Sequence, residues 1–553
     1  MNARWRTLAV AVATLGIVGV LAPIVVERHS LNSIDTAIKL IQATELNRSS
    51  FRSMALSYPA HTVDPDEHFL PFASPFVFLS AGRWQSVFSS FYAVIIAPLL
   101  ALGLAWVVAL SVVATAVAMA ATSRLPGGHP ASALLALLAT PIWLYALNPT
   151  ETPVALAAAM AAMATATAIA GPRGDWVSGV LLGIAALFRD EMLLLGPGLL
   201  YARTLAGVDV KDLWRTMAAA AVPVVAMSVV DQWWFERPML AHLRHAVPGF
   251  EAMLPRARAM LPQLAVMSWD KRLETIVAYW FFGFSGIAAA GLIAWLVLSH
   301  VVGRWRLWLV AGLLMVVATL HVLDLVELLA APRIMAGLFR LAPFLVLALM
   351  PLPVGERVPT GVRLAWVASG CYLAVVALTL NTEGGKPTGP RLIIGIWPLL
   401  AVAAVITWRR YASLARRSWP ARLTAIAGVI LIAGSLTMQM GVILRARAAR
   451  NIEDAEAARL VRSIGDRVIV LESIFEIDLA GPLYFERAVL LATPRQRREL
   501  SERLAAAGVD RFTYVAKPPI EHPPRYPEYR LGESWAPGQY VIQRWVRDPS
   551  GGR

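Results

Sequence analysis

The chain has 553 residues, of which 58% are apolar and only 16% are Asp, Glu, Lys or Arg, against roughly 25% charged in a soluble globular domain; its mean hydropathy is +0.60. This composition excludes a soluble, a disordered or a fibrous protein, and a single cysteine, Cys371, excludes an intrachain disulfide or a cysteine-built metal site. The net charge of +14 sits mostly in short connections between apolar runs, as the positive-inside rule describes; no basic stripe interleaved with aromatics lies on a soluble module, so nucleic acid is not an expected partner.

Arg4 and Arg6 precede the apolar run 8–26. The run is too long for a signal peptide and has no small-x-small cleavage site, which predicts a retained first helix with a cytoplasmic N-terminus. Residues 27–86 then lie outside. Further spans are predicted near 87–121, 131–147, 153–170, 177–203, 216–235, 273–299, 307–328, 336–352, 362–380, 391–407 and 423–443. If the run 177–203, interrupted at Arg189, counts as two half-length helices meeting at the outer face, there are about thirteen helices. Basic residues at Arg124, Arg173, 211–215, 304–306, 357–363 and 409–422 then all fall in cytoplasmic connections. The predicted fold class is a polytopic α-helical membrane protein of the cell inner (plasma) membrane with a C-terminal soluble α/β domain. Residues 1–444 form the transmembrane part, with outer loops 27–86 and 236–272, and residues 445–553 form the extracytoplasmic domain.

That tail changes period, from long apolar runs to short elements. DRVIVLES, AVLLAT, RFTYVA and QYVIQRWV read as strands, and Thr493 and Pro494 as the start of a helix ending at Gly508. It has no GxGxxG motif and no P-loop, so a scaffold or acceptor-docking role is the default.

Ionisable residues close to apolar spans mark candidate chemistry, because such placement is costly. Asp35 lies nine residues past Val26, and Lys39 follows one helical turn later on the same face. The same spacing suits a plain ion pair on an interfacial helix, stabilising by a few tenths of a kcal/mol. Asp64, Asp66, Glu67 and His68 form an acidic cluster between prolines that suits a divalent cation, a general base or a solvated turn. Glu151, in LNPTETP, occupies a short outer turn, where a helix-start carboxylate is the plainer reading. Arg189, Asp190 and Glu191 interrupt an otherwise spanning run; an arginine there matches a phosphate, with the carboxylates orienting it. Lys386 and Arg391, in GGKPTGPRLIIGIWPLL, put two cations beside paired glycines before a span, matching an anion site or a snorkelling anchor pair.

In order and placement these motifs resemble the GT-C superfamily of polytopic glycosyltransferases, which includes protein O-mannosyltransferases and lipid A aminoarabinose transferases. The resemblance covers most of the chain: SIDTAIKLIQ around Asp35, the stretch 58–65 with its YP and DP, TPIWLYALNPTETP around Glu151, GIAALFRDE around Arg189 and Glu191, GGKPTGPRLIIGIWPLL around Arg391, and a terminal outer α/β domain. Members with a paired acidic motif in the first loop carry two adjacent acids, whereas Asp35 stands between Ile34 and Thr36, matching the lone-aspartate subgroup. The resemblance implies inverting transfer of a sugar from a polyprenyl-phosphate donor to a hydroxyl of a lipid, glycan or protein acceptor at the outer face of the membrane. In that scheme Asp35 is the general base. Arg189, Lys386 and Arg391 contact the phosphate, and Lys39, Asp64, Glu151 and Glu191 belong to the substrate site. No metal or other cofactor is required, and the acidic cluster leaves room for a divalent cation. A secondary transporter and a non-catalytic assembly protein of cell-envelope glycan synthesis are the readings from other classes, although no internal repeat supports the first.

Overall fold

A computed structural model of the chain describes residues 3–26, 34–72, 76–237, 305–330, 341–350, 352, 357–379, 391–462, 466–473, 476–517, 524–535 and 540–548. The predicted span 273–299, most of the loop 236–272 and Lys386 lie outside the described residues.

Helix α1 (Ala3–Val25) is the predicted first span, and α2 (Ile34–Arg48) carries Asp35 in its first turn, where a carboxylate complements the helix dipole. A hairpin of β1 (Val77–Ser80) and β2 (Arg83–Ser86) follows, turning through Ala81 and Gly82, both in the left-handed region. The run 87–121, expected as one span, is two helices, α3 (Ser90–Leu102) and α4 (Leu104–Thr122). Gly103 separates them with φ +121°, a conformation that interrupts a helix and that glycine alone adopts without strain. The expected span 131–147 is likewise divided into α5 (Pro130–Leu138) and α6 (Ile142–Leu147) at Pro141, whose missing N–H ends the ladder.

Next come α7 (Thr152–Ala168), α8 (Gly171–Phe188), a 3₁₀ segment over Asp190–Leu195, α9 (Gly196–Leu205) and α10 (Trp214–Trp234). The run 177–203 is thus broken at Arg189, as its three charges predict. Beyond lie α11 (Arg306–Ala330), a 3₁₀ segment over Pro343–Leu349 where part of a continuous span was expected, and α12 (Thr360–Thr379). A third 3₁₀ segment, Arg391–Ile396, leads into α13 (Trp397–Leu414). The last apolar run becomes α14 (Trp419–Arg462), 44 residues long and therefore about 66 Å at 1.5 Å per residue; the predicted boundary at 444 and 445 falls inside this one helix.

The chain is a multi-pass membrane protein. Among the described residues five helical stretches are long and apolar enough to cross a bilayer: Arg4–Ile24, Leu104–Thr122, Val210–Trp234, Ile393–Leu414 and Trp419–Ala448. Their outward positions, such as Trp106, Val113, Trp233 and Val429, are large apolar side chains left exposed, as a helix facing lipid requires.

Packing divides the chain into two compact units. The first comprises Met1–Pro23, Val108–Ala226 and Pro255–Leu444. Its centre is α13, buried at nearly every apolar position and packed on α5, α12 and the segment Pro343–Leu349. Helix α8 meets α10 through Gly179 and Gly183, where an added Cβ would collide with the Thr216 and Ala220 carbonyls; small residues four apart let the backbones approach where no hydrophobic drive separates helix from lipid. Several buried polar groups here are paired. Arg203, fully enclosed, donates to Asp175 (2.7 Å) and to the carbonyls of Ala166 and Gly171, and Trp143 donates to Gln439 (3.0 Å), which donates to the Leu341 carbonyl (2.9 Å).

The second unit comprises Ile24–Val107, Met227–Leu254 and Arg445–Arg553. Its sheet has the order β4-β3-β5-β7-β6, built from β3 (Val468–Leu471), β4 (Ala488–Leu491), β5 (Arg511–Ala516), β6 (Tyr529–Trp535) and β7 (Val541–Arg547). β3 runs parallel to β4 and β5, whereas β7 is antiparallel to β5 and β6. Two helices complete it, α15 (Ile477–Ala480) and α16 (Arg497–Ala506); the latter starts three residues beyond the predicted Pro494, because Thr493 and Gln496 first close a turn on each other. The segment between α1 and α3 is part of this core. Ile38, Ile41, Phe69 and Phe72 share one apolar cluster with Val470, Leu471, Tyr484 and Tyr514, and the Leu491 N–H donates to the Phe69 carbonyl (2.7 Å).

Candidate functional site

Two groups of buried charge stand out, one in each unit. In the second unit the site is assembled around α2. Every side chain from Asp35 to Ala43 is buried, so α2 is an enclosed helix and not the interfacial one that the i,i+4 spacing also fits. Asp35 is 6% exposed and Lys39 3%, and the Lys39 ammonium lies 4.4 Å from the centre of the Phe88 ring, a cation–π distance. Carrying two ionic groups into such an enclosure costs several kcal/mol each before compensation, which marks the pair as more than a surface ion pair.

Beside them lies Arg237, which the sequence reading did not single out because a lone arginine in a long loop carries no motif. It is 2% exposed and donates from Nη2 to the carbonyls of Ser86 (2.7 Å) and Phe88 (3.1 Å). Its Nη1 lies 4.0 Å from Asp231 and 3.9 Å from the Met54 sulfur, and the Gln42 amide reaches the same sulfur at 3.6 Å. Met54 thereby joins α2 to Arg237. Four polar atoms here have no hydrogen-bond partner among the described residues: Gln42 Oε1, Gln85 Oε1, Asp231 Oδ1 and Arg237 Nε. Each such buried group costs about 1–3 kcal/mol.

Asp64, grouped with the substrate residues on sequence, is drawn into the fold. Fully buried, it accepts from the Tyr58 hydroxyl (2.7 Å), the backbone N–H groups of Phe69 (2.7 Å) and His68 (3.2 Å), and Arg503 of α16 (3.2 Å). Burial, and then the Asp64 carboxylate, push the Tyr58 hydroxyl well above its ordinary pKa. Arg503 also holds Asp66, whose carboxyl it pulls down to about 2 chiefly through that hydrogen bond. Among the described residues no group of three His, Cys, Asp or Glu is arranged to hold a metal.

In the first unit Arg189 gathers the sequence-predicted residues Glu151 and Glu191. Its backbone (φ −148°, ψ 111°) ends α8, and the guanidinium turns onto Glu191 (Nε to Oε1 2.6 Å), Thr152 (2.9 Å) and Glu151 (3.5 Å) at the start of α7. Arg189 is 8% exposed and Glu151 7%, so two carboxylates compensate one cation out of water. The segment Asp190–Leu195 packs on α7, α12 and the segment Arg391–Ile396. Gly395 permits that contact: a Cβ there would lie 3.2 Å from the Met192 sulfur and 3.4 Å from the Tyr372 ring. The backbone carrying Arg391 is therefore brought to the Arg189 junction; the Arg391 side chain and Lys386 are outside the described residues.

No family model and no curated protein matches the chain. Among solved structures it is similar to ArnT from Cupriavidus metallidurans bound to undecaprenyl phosphate, at 14% identity and a TM-score of 0.44, over 99% of this chain and 98% of that one. It is similar also to ArnT from the same organism in the apo state, at 14% identity and a TM-score of 0.45, over 98% of each chain.

Proposed function

We propose that the protein is a membrane glycosyltransferase that moves a sugar from a polyprenyl-phosphate donor to an acceptor hydroxyl, with inversion, at the outer face of the plasma membrane. The observation that carries this reading is the burial of Asp35 and Lys39 one turn apart on a helix that starts shortly after the first span. The motif order in the sequence supports it. In this scheme the acceptor O–H gives its proton to the Asp35 carboxylate as its oxygen attacks the anomeric carbon, and the bond from that carbon to the phosphate oxygen breaks. The electron pair leaves with the polyprenyl phosphate, whose charge grows by one; Lys39 and Arg237 are the cations assigned to it. Arg189 is assigned to positioning, since Glu151 and Glu191 already match its charge. Asp64 serves the scheme indirectly, by fixing the segment between α2 and the hairpin.

The orientation belongs to the same proposal: N-terminus cytoplasmic, residues 445–553 extracytoplasmic. Mass spectrometry of the full chain purified in native lipid tests the donor class. A copurified polyprenyl phosphate or its glycosyl ester, reduced in the Lys39→Met and Arg237→Met variants, is the expected result, and absence of any polyprenyl lipid from the wild type rejects the reading.

A further inference from the structure

The amide side chains of Gln42 and Gln85 have no part in the transfer chemistry, yet they are among the most enclosed polar groups in the second unit. Gln42 is 0% exposed and Gln85 2%, and the carbonyl oxygen of each lacks a hydrogen-bond partner among the described residues. Gln42 lies seven residues after Asp35 and three after Lys39, so all three occupy one face of α2. Gln85 sits on β2, which packs on α2, in the strand that also supplies the Ser86 carbonyl to Arg237.

Two acceptors without donors ask for a ligand that brings hydrogen-bond donors. A polyprenyl chain has no polar hydrogen, and the phosphodiester of a glycosyl donor is an acceptor on every oxygen. Within the donor, only the sugar carries O–H groups. The cations beside these amides suit the phosphate, and the amide carbonyls suit what the phosphate lacks.

We infer that Gln42 and Gln85 are specificity-determining residues that accept hydrogen bonds from the hydroxyls of the donor's pyranose or furanose ring, so that the site separates the sugar-charged carrier from the spent polyprenyl phosphate. The inference rests on the transferase reading above. Its physical basis is that a site built to bond a hydroxyl discriminates strongly against the analogue without it, because the buried acceptor is then left unmatched.

The test uses the full chain in nanodiscs, with decaprenyl phosphate and its mannose and arabinose esters as competing probes read by native mass spectrometry. The wild type should prefer at least one glycosyl ester over bare decaprenyl phosphate by about tenfold or more. Gln42→Met and Gln85→Met, close in volume and unable to accept as an amide does, should each lose most of that preference. They should bind bare decaprenyl phosphate within about twofold of wild type and melt no lower, since an apolar replacement relieves an unmatched carbonyl. Preference retained in both variants would overturn the inference and leave the amides to solvent alone. So would a wild type that binds the bare carrier without preferring either ester, or variants that melt lower and lose all three lipids equally. A wild type that binds none of the three lipids rejects the transferase reading itself, and the inference with it.

Discussion

Arg503 of α16 reaches Asp64, in the segment between α2 and the hairpin, across 439 positions of sequence, Nη1 to Oδ1 3.2 Å, and the same guanidinium holds Asp66 and Glu499. Asp64 is fully enclosed, and Arg503 is one of its four hydrogen-bond donors. Arg503→Met should destabilise the second unit by about 1.5–3 kcal/mol, toward the lower figure because Tyr58 and two backbone N–H groups still donate. Hydrogen exchange should report it first at the amide of Phe69; unchanged protection there would show that the clasp contributes nothing.

The clasp also sets an acid limit. The Asp66 carboxyl lies at about 2 in the folded protein because Arg503 hydrogen-bonds it, against an ordinary value of about 3.9. A carboxyl lowered on folding contributes stability that is fully present above its unfolded pKa and is lost as pH falls through the folded one. Thermal stability should therefore decline between about pH 4 and pH 2. Asp66→Asn should be less stable than wild type at neutral pH and should flatten that part of the decline; parallel melting curves for the two proteins would contradict it.

Around Arg189 the test is compensation. Arg189→Met leaves Glu151 and Glu191 facing each other at low exposure and should lower stability by about 3–5 kcal/mol, as removal of one partner from a buried ion pair does. Adding Glu151→Gln and Glu191→Gln removes the orphaned charges and should restore most of that loss. A triple variant no more stable than the single one would show that these carboxylates do not balance Arg189.

Asp35→Asn preserves size and most hydrogen bonding while removing the base. It should cut transfer by about two to four orders of magnitude with donor binding retained. Near-wild-type transfer in this variant would remove Asp35 from the proton-transfer step.

Topology can be read with thiol labelling on a background in which Cys371 is replaced. One span, Trp419–Ala448, separates Ser413, in the last turn of α13, from the tail that contains Ala506. Ser413→Cys should react only from the cytoplasmic side and Ala506→Cys only from outside. Labelling of both from one side would dismantle the orientation on which the Asp35 assignment depends.

What the sequence discloses follows the range over which each feature is decided. The break at Arg189 is legible because three consecutive charges in an apolar run forbid a continuous span. The breaks at Gly103 and Pro141 are not, since one glycine or proline is tolerated in many spans and apolar composition continues on both sides. β6 escapes notice for another reason: YRLGESW is an exposed edge strand with a bulge at Gly532, so it lacks the alternation that marks a half-buried strand. Among the site residues, Arg189 and Glu191 could be grouped because they share one motif, whereas the pairing of Glu151 with Arg189 joins two elements and is visible only in the fold. Arg237 and the two glutamines could not, because their meaning comes from partners on other elements. Asp64 looked like part of a metal or substrate cluster because its four donors lie partly in a helix more than four hundred positions away.

The shared core of the second unit has a consequence for biosynthesis. Tyr484, whose hydroxyl donates to the Ser57 carbonyl, is 427 residues further along the chain, and the strand that pairs with Phe69 is equally late. At about 5–20 residues per second, the apolar side chains of the segment between α2 and the hairpin wait on the order of 20–85 s for the sheet that covers them. Through that interval Phe69 and Phe72 are open to any other surface. The nascent protein is then exposed to aggregation until β3 and β4 are made, and ribosome stalling between the two parts should harm it more than stalling after the sheet is complete.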